Sequence, residues 1–88
     1  MDVRQTIGWN LRRLRVARGL SQERLAFEAE IDRSYVGRVE RGGENVTVAT
    51  LEAFAKVLSV NVSELFAEIA PEDTKPSGLP SGRKQKGL

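Results

Sequence analysis

Apolar residues recur at helical spacing through most of the chain. Ile7, Leu11 and Leu14 stand four and three apart and predict a first helix from about Val3 to Arg18 with one apolar stripe. Gly19 can close that helix in the left-handed conformation, and Leu20 can fold back on its last turn. Ser21 has the chemistry of an N-cap: its hydroxyl can accept from a first-turn N–H, with Glu23 near the positive helix end. Leu25, Ala26 and Ala29 then give a second, short helix a narrow inward face, and its small alanines permit close approach by a neighbour. A helix of that length does not persist alone, so packing must hold it.

Glu30-Ile31-Asp32 reads as a tight turn, with Ile31 as an apolar plug and Asp32 as N-cap of a third helix, Arg33 to Arg41, whose inward residues are Val36 and Val39. Gly37, in mid-helix, costs ~1 kcal/mol relative to alanine. It admits two explanations: close packing against a neighbouring helix or a DNA backbone, or a tolerated defect. Residues 42–45 form a loop. Thr47 can cap a fourth helix to about Leu58, with Leu51, Phe54, Ala55 and Leu58 on its core side. Asn61 and Glu64 are spaced as a capping box for a fifth helix carrying Val62, Leu65, Phe66 and Ile69, which Pro71 stops.

The fold class expected is therefore all-α, with one domain over residues 1–70. Residues 71–88 are rich in Pro, Ser, Gly and Lys and nearly devoid of apolar residues; such a tail cannot recover its ordering entropy by burial, and disorder is expected. At 88 residues the chain buries only ~60% of its unfolded surface or slightly more, which argues against a large internal active site. It contains no cysteine and no histidine, removing thiolate metal sites and imidazole-based triads, and no cofactor is expected. The amino terminus lacks a basic segment followed by an apolar run, and no window approaches the ~20 apolar residues of a membrane span. A cytoplasmic, nucleoid-associated location is expected.

The net charge of +2 conceals a split, because residues 1–70 hold ten cations and ten anions and the surplus lies in the tail. Nine of those ten cations are arginines between Arg4 and Arg41. Any basic surface must therefore come from placement. The run of Arg12, Arg13, Arg15 and Arg18 along the first helix reads for the most part as a solvated charged face. Trp9 falls outside the apolar stripe and is expected to be exposed, as a contact for the tail or a partner. On the third helix, Arg33, Ser34, Gly37, Arg38 and Arg41 share the side away from Val36 and Val39. An arginine so placed can bond guanine O6 and N7 together, contributing ~1–3 kcal/mol of discrimination. The bland alternative is a solvated face, with Arg24 and Glu28 as an ordinary i,i+4 pair beside it. Glu28 and Asp32 are poor candidates for paired catalytic carboxylates, since one lies on a surface face and the other caps a helix, so the chain is not expected to be an enzyme.

Residues 11–66 resemble the Cro/C1-type helix-turn-helix family, also called the xenobiotic-response-element family. The resemblance is carried by LRRLRVARGLSQERLA, DRSYVGRVERG and TVATLEAFAKVLSVNVSELF, in that order and spacing. DRSYVGRVERG is particularly similar to the controller proteins of restriction-modification systems. The resemblance implies a five-helix, lambda-repressor-like domain whose second and third helices form the DNA-reading unit. It assigns Gln22 to a phosphate, Arg33, Ser34 and Arg38 to base edges, and Tyr35 to the DNA backbone. Asn45 and Thr47 match the loop that approaches the phosphates, and Arg15 with Glu40 a partly buried structural salt bridge. Arg41 is added as a backbone contact. Two positions depart from the family: Glu30, where glycine or asparagine is common, and Gly43-Glu44, where a cation is frequent.

The function expected is sequence-specific transcriptional regulation by a homodimer on double-stranded DNA, reading a two-fold operator with the helix at 33–41 in the major groove. Val48, Phe66 and Ile69 are the expected dimer contacts. The rival expectation is an antiactivator or adaptor that uses the same fold to grip another regulatory protein, in place of DNA binding or in addition to it.

Overall fold

The computed structural model describes residues 2–69, so the expected tail at 71–88 lies outside them. Among the described residues there are four α-helices and a terminal 3-10 helix: α1 (Val3–Ala17), α2 (Gln22–Ala29), α3 (Arg33–Glu40), α4 (Val48–Leu58), then the 3-10 segment Val62–Phe66. The core is the one the periodicity marks. Ile7, Leu11 and Leu14 meet Leu25, Ala26, Val36 and Val39, and Leu51, Phe54 and Leu58 close it from α4. Ile31 packs against this core from the turn. No helix among the described residues is long and apolar enough to cross a membrane.

Short helices need their ends satisfied, and here every α-helix start is capped. Asp2 and Gln5 form a reciprocal box at the head of α1, while Ser21, Asp32 and Thr47 accept from backbone N–H groups of α2, α3 and α4. The bonds from the Gln5 N–H, first, and from Arg4 hold the Asp2 carboxyl below its ordinary pKa. At the far end of α1, the Leu20 N–H reaches Arg15 O at 3.1 Å and the Gly19 N–H reaches Val16 O at 2.9 Å, the paired bonds of a Schellman closure. Residues 42 and 43 repeat this after α3.

The turn between α2 and α3 contains Glu30, one of the two positions that depart from the family resembled. Glu30 has φ 60° and ψ 45°, a left-handed conformation that costs a non-glycine residue ~1 kcal/mol or more. The bonds from the Glu30 N–H to Phe27 O and from the Ile31 N–H to Ala26 O tie it down. Ser59 closes α4 in the same conformation, which the sequence pattern did not mark.

Three expectations are corrected. The fifth helix is a 3-10 turn of five residues, and Asn61 makes no side-chain cap bond, so no capping box forms there. What holds this segment is Asn10, fully buried in α1: its Nδ2 donates to Leu65 O at 3.2 Å and Ala67 O at 2.9 Å. With Leu65 inserted in the core and these carbonyls taken from the side, the chain gains nothing by winding into a longer α-helix. Trp9 is half-buried, not exposed, and stands outside the core cluster. Gly37 is buried, but a Cβ there would meet only the side-chain ends of Arg41, at 3.2 Å, and Gln22, at 3.8 Å, so close backbone packing does not account for it. Close helix packing is instead set by Gly8: a Cβ there would lie 2.4 Å from Val39 O and 2.7 Å from Glu40 O.

Candidate nucleic-acid interface

The end of α3 rests on α1 at Gly8, and its Glu40 side chain is reached by Arg15 from further along α1. Arg15 Nε donates to Glu40 Oε2 at 2.6 Å and Nη2 to Oε1 at 3.0 Å, a two-pronged bond with both side chains almost wholly buried. Arg15 Nη1 also donates to Leu20 O at 2.8 Å, tying the α1–α2 connection to the pair. Gln22 joins the network, its Nε2 donating to Glu40 Oε1 at 3.0 Å. One N–H of that amide is thus engaged internally and the second remains available to an acceptor outside. Arg15 is thereby removed from the basic surface.

On the outward side of α3, Arg33, Ser34, Arg38 and Arg41 are all exposed and Tyr35 is half-buried against the core. Arg33 and Arg41 make no side-chain hydrogen bond or ion pair among the described residues. Ser34 is engaged: its hydroxyl and its N–H both donate to the Asp32 carboxylate. The hydroxyl bond, first, and the N–H bond, second, hold the Asp32 carboxyl below its ordinary pKa, so the α3 cap stays ionised. Arg38 is engaged as well. Its Nε donates to Glu44 Oε2 at 2.6 Å, its Nη1 reaches Ser34 Oγ at 3.5 Å, and its guanidinium lies 5.7 Å from the Tyr35 ring centroid.

Asn45 is exposed in the loop, and Thr47 spends its hydroxyl on α4, accepting from the Thr50 N–H at 3.1 Å and donating to Thr50 Oγ1 at 3.0 Å. Elsewhere, Arg24 and Glu28 form the expected i,i+4 pair at 2.6 Å, and the Arg24 guanidinium sits 5.5 Å from the ring of Phe27. Sequence reasoning passed over two residues that position this surface, Gly8 and Asn10, and marked Glu44 only as a departure from the family, not as the partner of Arg38. The first two sit on a helix face that periodicity scores only for apolar residues.

The geometry is a helix-turn-helix unit with its second helix exposed, and the helix-turn-helix family model matches residues 11–65. The chain belongs to the Cro/C1-type helix-turn-helix family. The members it matches are transcriptional regulators, and the protein is accordingly a DNA-binding regulator rather than an enzyme. It is 38% identical over 78 residues to an uncharacterized HTH-type transcriptional regulator of Sinorhizobium fredii, covering 89% of this chain and 97% of that one. The control protein C.SmaI of Serratia marcescens is 42% identical over 66 residues, covering 75% of this chain and 79% of its own. Among solved structures, the restriction-modification controller protein C.AhdI of Aeromonas hydrophila superposes with a TM-score of 0.70 at 49% identity, over 72% of this chain and 96% of that one.

Proposed function

We propose that the protein regulates transcription as a homodimer on a two-fold operator, each protomer laying α3 in the major groove of one half-site, about one DNA turn from its partner. The observation that carries this is the strip Arg33, Ser34, Arg38 and Arg41, exposed on a helix anchored from behind by the buried Arg15–Glu40 pair. Arg33, Ser34 and Arg38 face base edges, with the arginines suited to guanine. Tyr35 and Arg41 contact the DNA backbone. Gln22, at the N-terminus of α2, offers its remaining N–H to a phosphate where the helix dipole also favours one. Asn45 and Thr47 border the same groove through the loop after α3.

One eight-residue helix in one groove gives little specific affinity, which is the physical reason for a dimer. Val48 and Phe66 support an interface beside α4, being apolar and 71% and 43% exposed. Selection of bound duplexes from a random pool at ~0.15 M salt tests the proposal. A palindromic consensus is expected, and a failure to enrich any sequence overturns it. That failure would favour the second reading, a domain that grips another regulator. Phe27, on the outer face of α2 and 73% exposed, is the feature that favours it.

A further inference from the structure

Glu44 is an acidic residue set at the mouth of a surface that is otherwise offered to an anion. It is not a loosely tethered one. The closure of α3 brings the Gly43 N–H to the carbonyl of Arg38 at 2.9 Å, and the next residue, Glu44, returns its carboxylate to the guanidinium of the same Arg38 at 2.6 Å. The Glu44 side chain is three-quarters covered, whereas Arg38 is half exposed. The carboxylate is therefore the enclosed partner and the guanidinium the one open to solvent. Ser34 Oγ, at 3.5 Å from Nη1, and the Tyr35 ring flank the guanidinium from the helix side.

We propose that Glu44 is a specificity-determining residue, holding Arg38 so that it reads a base edge and withholding it from phosphates. This rests on Arg38 as a base contact. A free arginine bonds any phosphate it reaches, with no sequence information. With Nε committed to Glu44, a phosphate that takes the outer N–H groups of Nη1 and Nη2 is held beside a carboxylate of its own sign. A guanine edge asks less, because its two acceptors are uncharged and can take the same outer N–H groups, with Nε still on Glu44, without that repulsion. The anion therefore weakens indiscriminate binding more than base reading.

The test uses the full chain, a duplex enriched from a random pool and a scrambled duplex of the same composition. Affinities are measured across a salt series for the wild type, Glu44→Gln, Arg38→Ala and the double variant. Glu44→Gln is expected to tighten binding to the scrambled duplex and to steepen its log–log salt slope by ~0.9, one phosphate's share, as Arg38 is released. The ratio of the two affinities should fall roughly three- to tenfold, part of the roughly 5- to 150-fold that one arginine–guanine pair supplies. In the Arg38→Ala background, Glu44→Gln should leave the ratio unchanged. An equal shift on both duplexes, or an effect that persists without Arg38, overturns the role of Glu44 while leaving Arg38 a base contact. If Arg38→Ala itself leaves the ratio intact, base reading by Arg38 fails and the role of Glu44 fails with it.

Discussion

Arg15 and Glu40, 25 residues apart in sequence, meet through two hydrogen bonds of 2.6 and 3.0 Å with almost no solvent on either side chain. The pair does more than join α1 to α3. Through Leu20 O it fixes the entry to α2, and through Gln22 it fixes the first residue of α2, so both helices of the helix-turn-helix are referred to one buried charge pair.

Removing one member leaves the other charged and buried. Glu40→Gln or Arg15→Met should each destabilise the domain by ~3–5 kcal/mol. For a domain of this size ~3 kcal/mol corresponds to about 12–24 °C in Tm. The combination Arg15→Met with Glu40→Leu should recover much of that loss, because the orphaned charge disappears. Thermal unfolding followed by circular dichroism checks both, and an additive double variant would contradict the coupling.

Two glycines in helices should respond to alanine with opposite signs. At Gly8 the new Cβ would lie 2.4 Å from a backbone oxygen of α3, and forcing the helices apart costs ~1–3 kcal/mol, more than the ~1 kcal/mol that alanine gains in helix propensity. At Gly37 the nearest atom is the movable end of Arg41, at 3.2 Å, so the propensity gain should survive and Tm should rise by a few degrees. A fall in Tm for Gly37→Ala would mean that the Arg41 and Gln22 side chains cannot yield.

Much of this was legible in the sequence, for a reason that the failures make plain. Ile7, Leu11, Val36, Leu51 and Phe54 all proved to be core because apolar period encodes burial directly. Ser21, Asp32 and Thr47 were identifiable as caps because a single side chain satisfies a local backbone donor. Asn10 was not legible, since the acceptors at Leu65 and Ala67 are more than fifty residues away and no local pattern marks them. The same long-range bonds explain why the last segment stays a 3-10 turn despite a cap-like Asn61 and Glu64. On the exposed side of α3 the residue types were visible, but the commitment of Arg38 to Glu44 and of Ser34 to Asp32 was not.

The proposed dimer depends on apolar side chains that the isolated chain leaves in water. Phe66→Glu and Val48→Glu, tested separately, should convert a dimer to a monomer in sedimentation at micromolar concentration, with monomer helicity unchanged, since neither side chain belongs to the core. A wild type that sediments as a monomer both alone and on duplex would contradict the two-fold arrangement.

The central claim is that α3 reads bases, and the most direct test compares Arg38→Ala with Gln22→Ala on an enriched and a scrambled duplex at ~0.15 M salt. Arg38→Ala is predicted to abolish most of the discrimination between the two duplexes. Gln22→Ala is predicted to weaken both by about the same factor, as loss of a phosphate contact should. Equal losses on both duplexes for Arg38→Ala would contradict the claim.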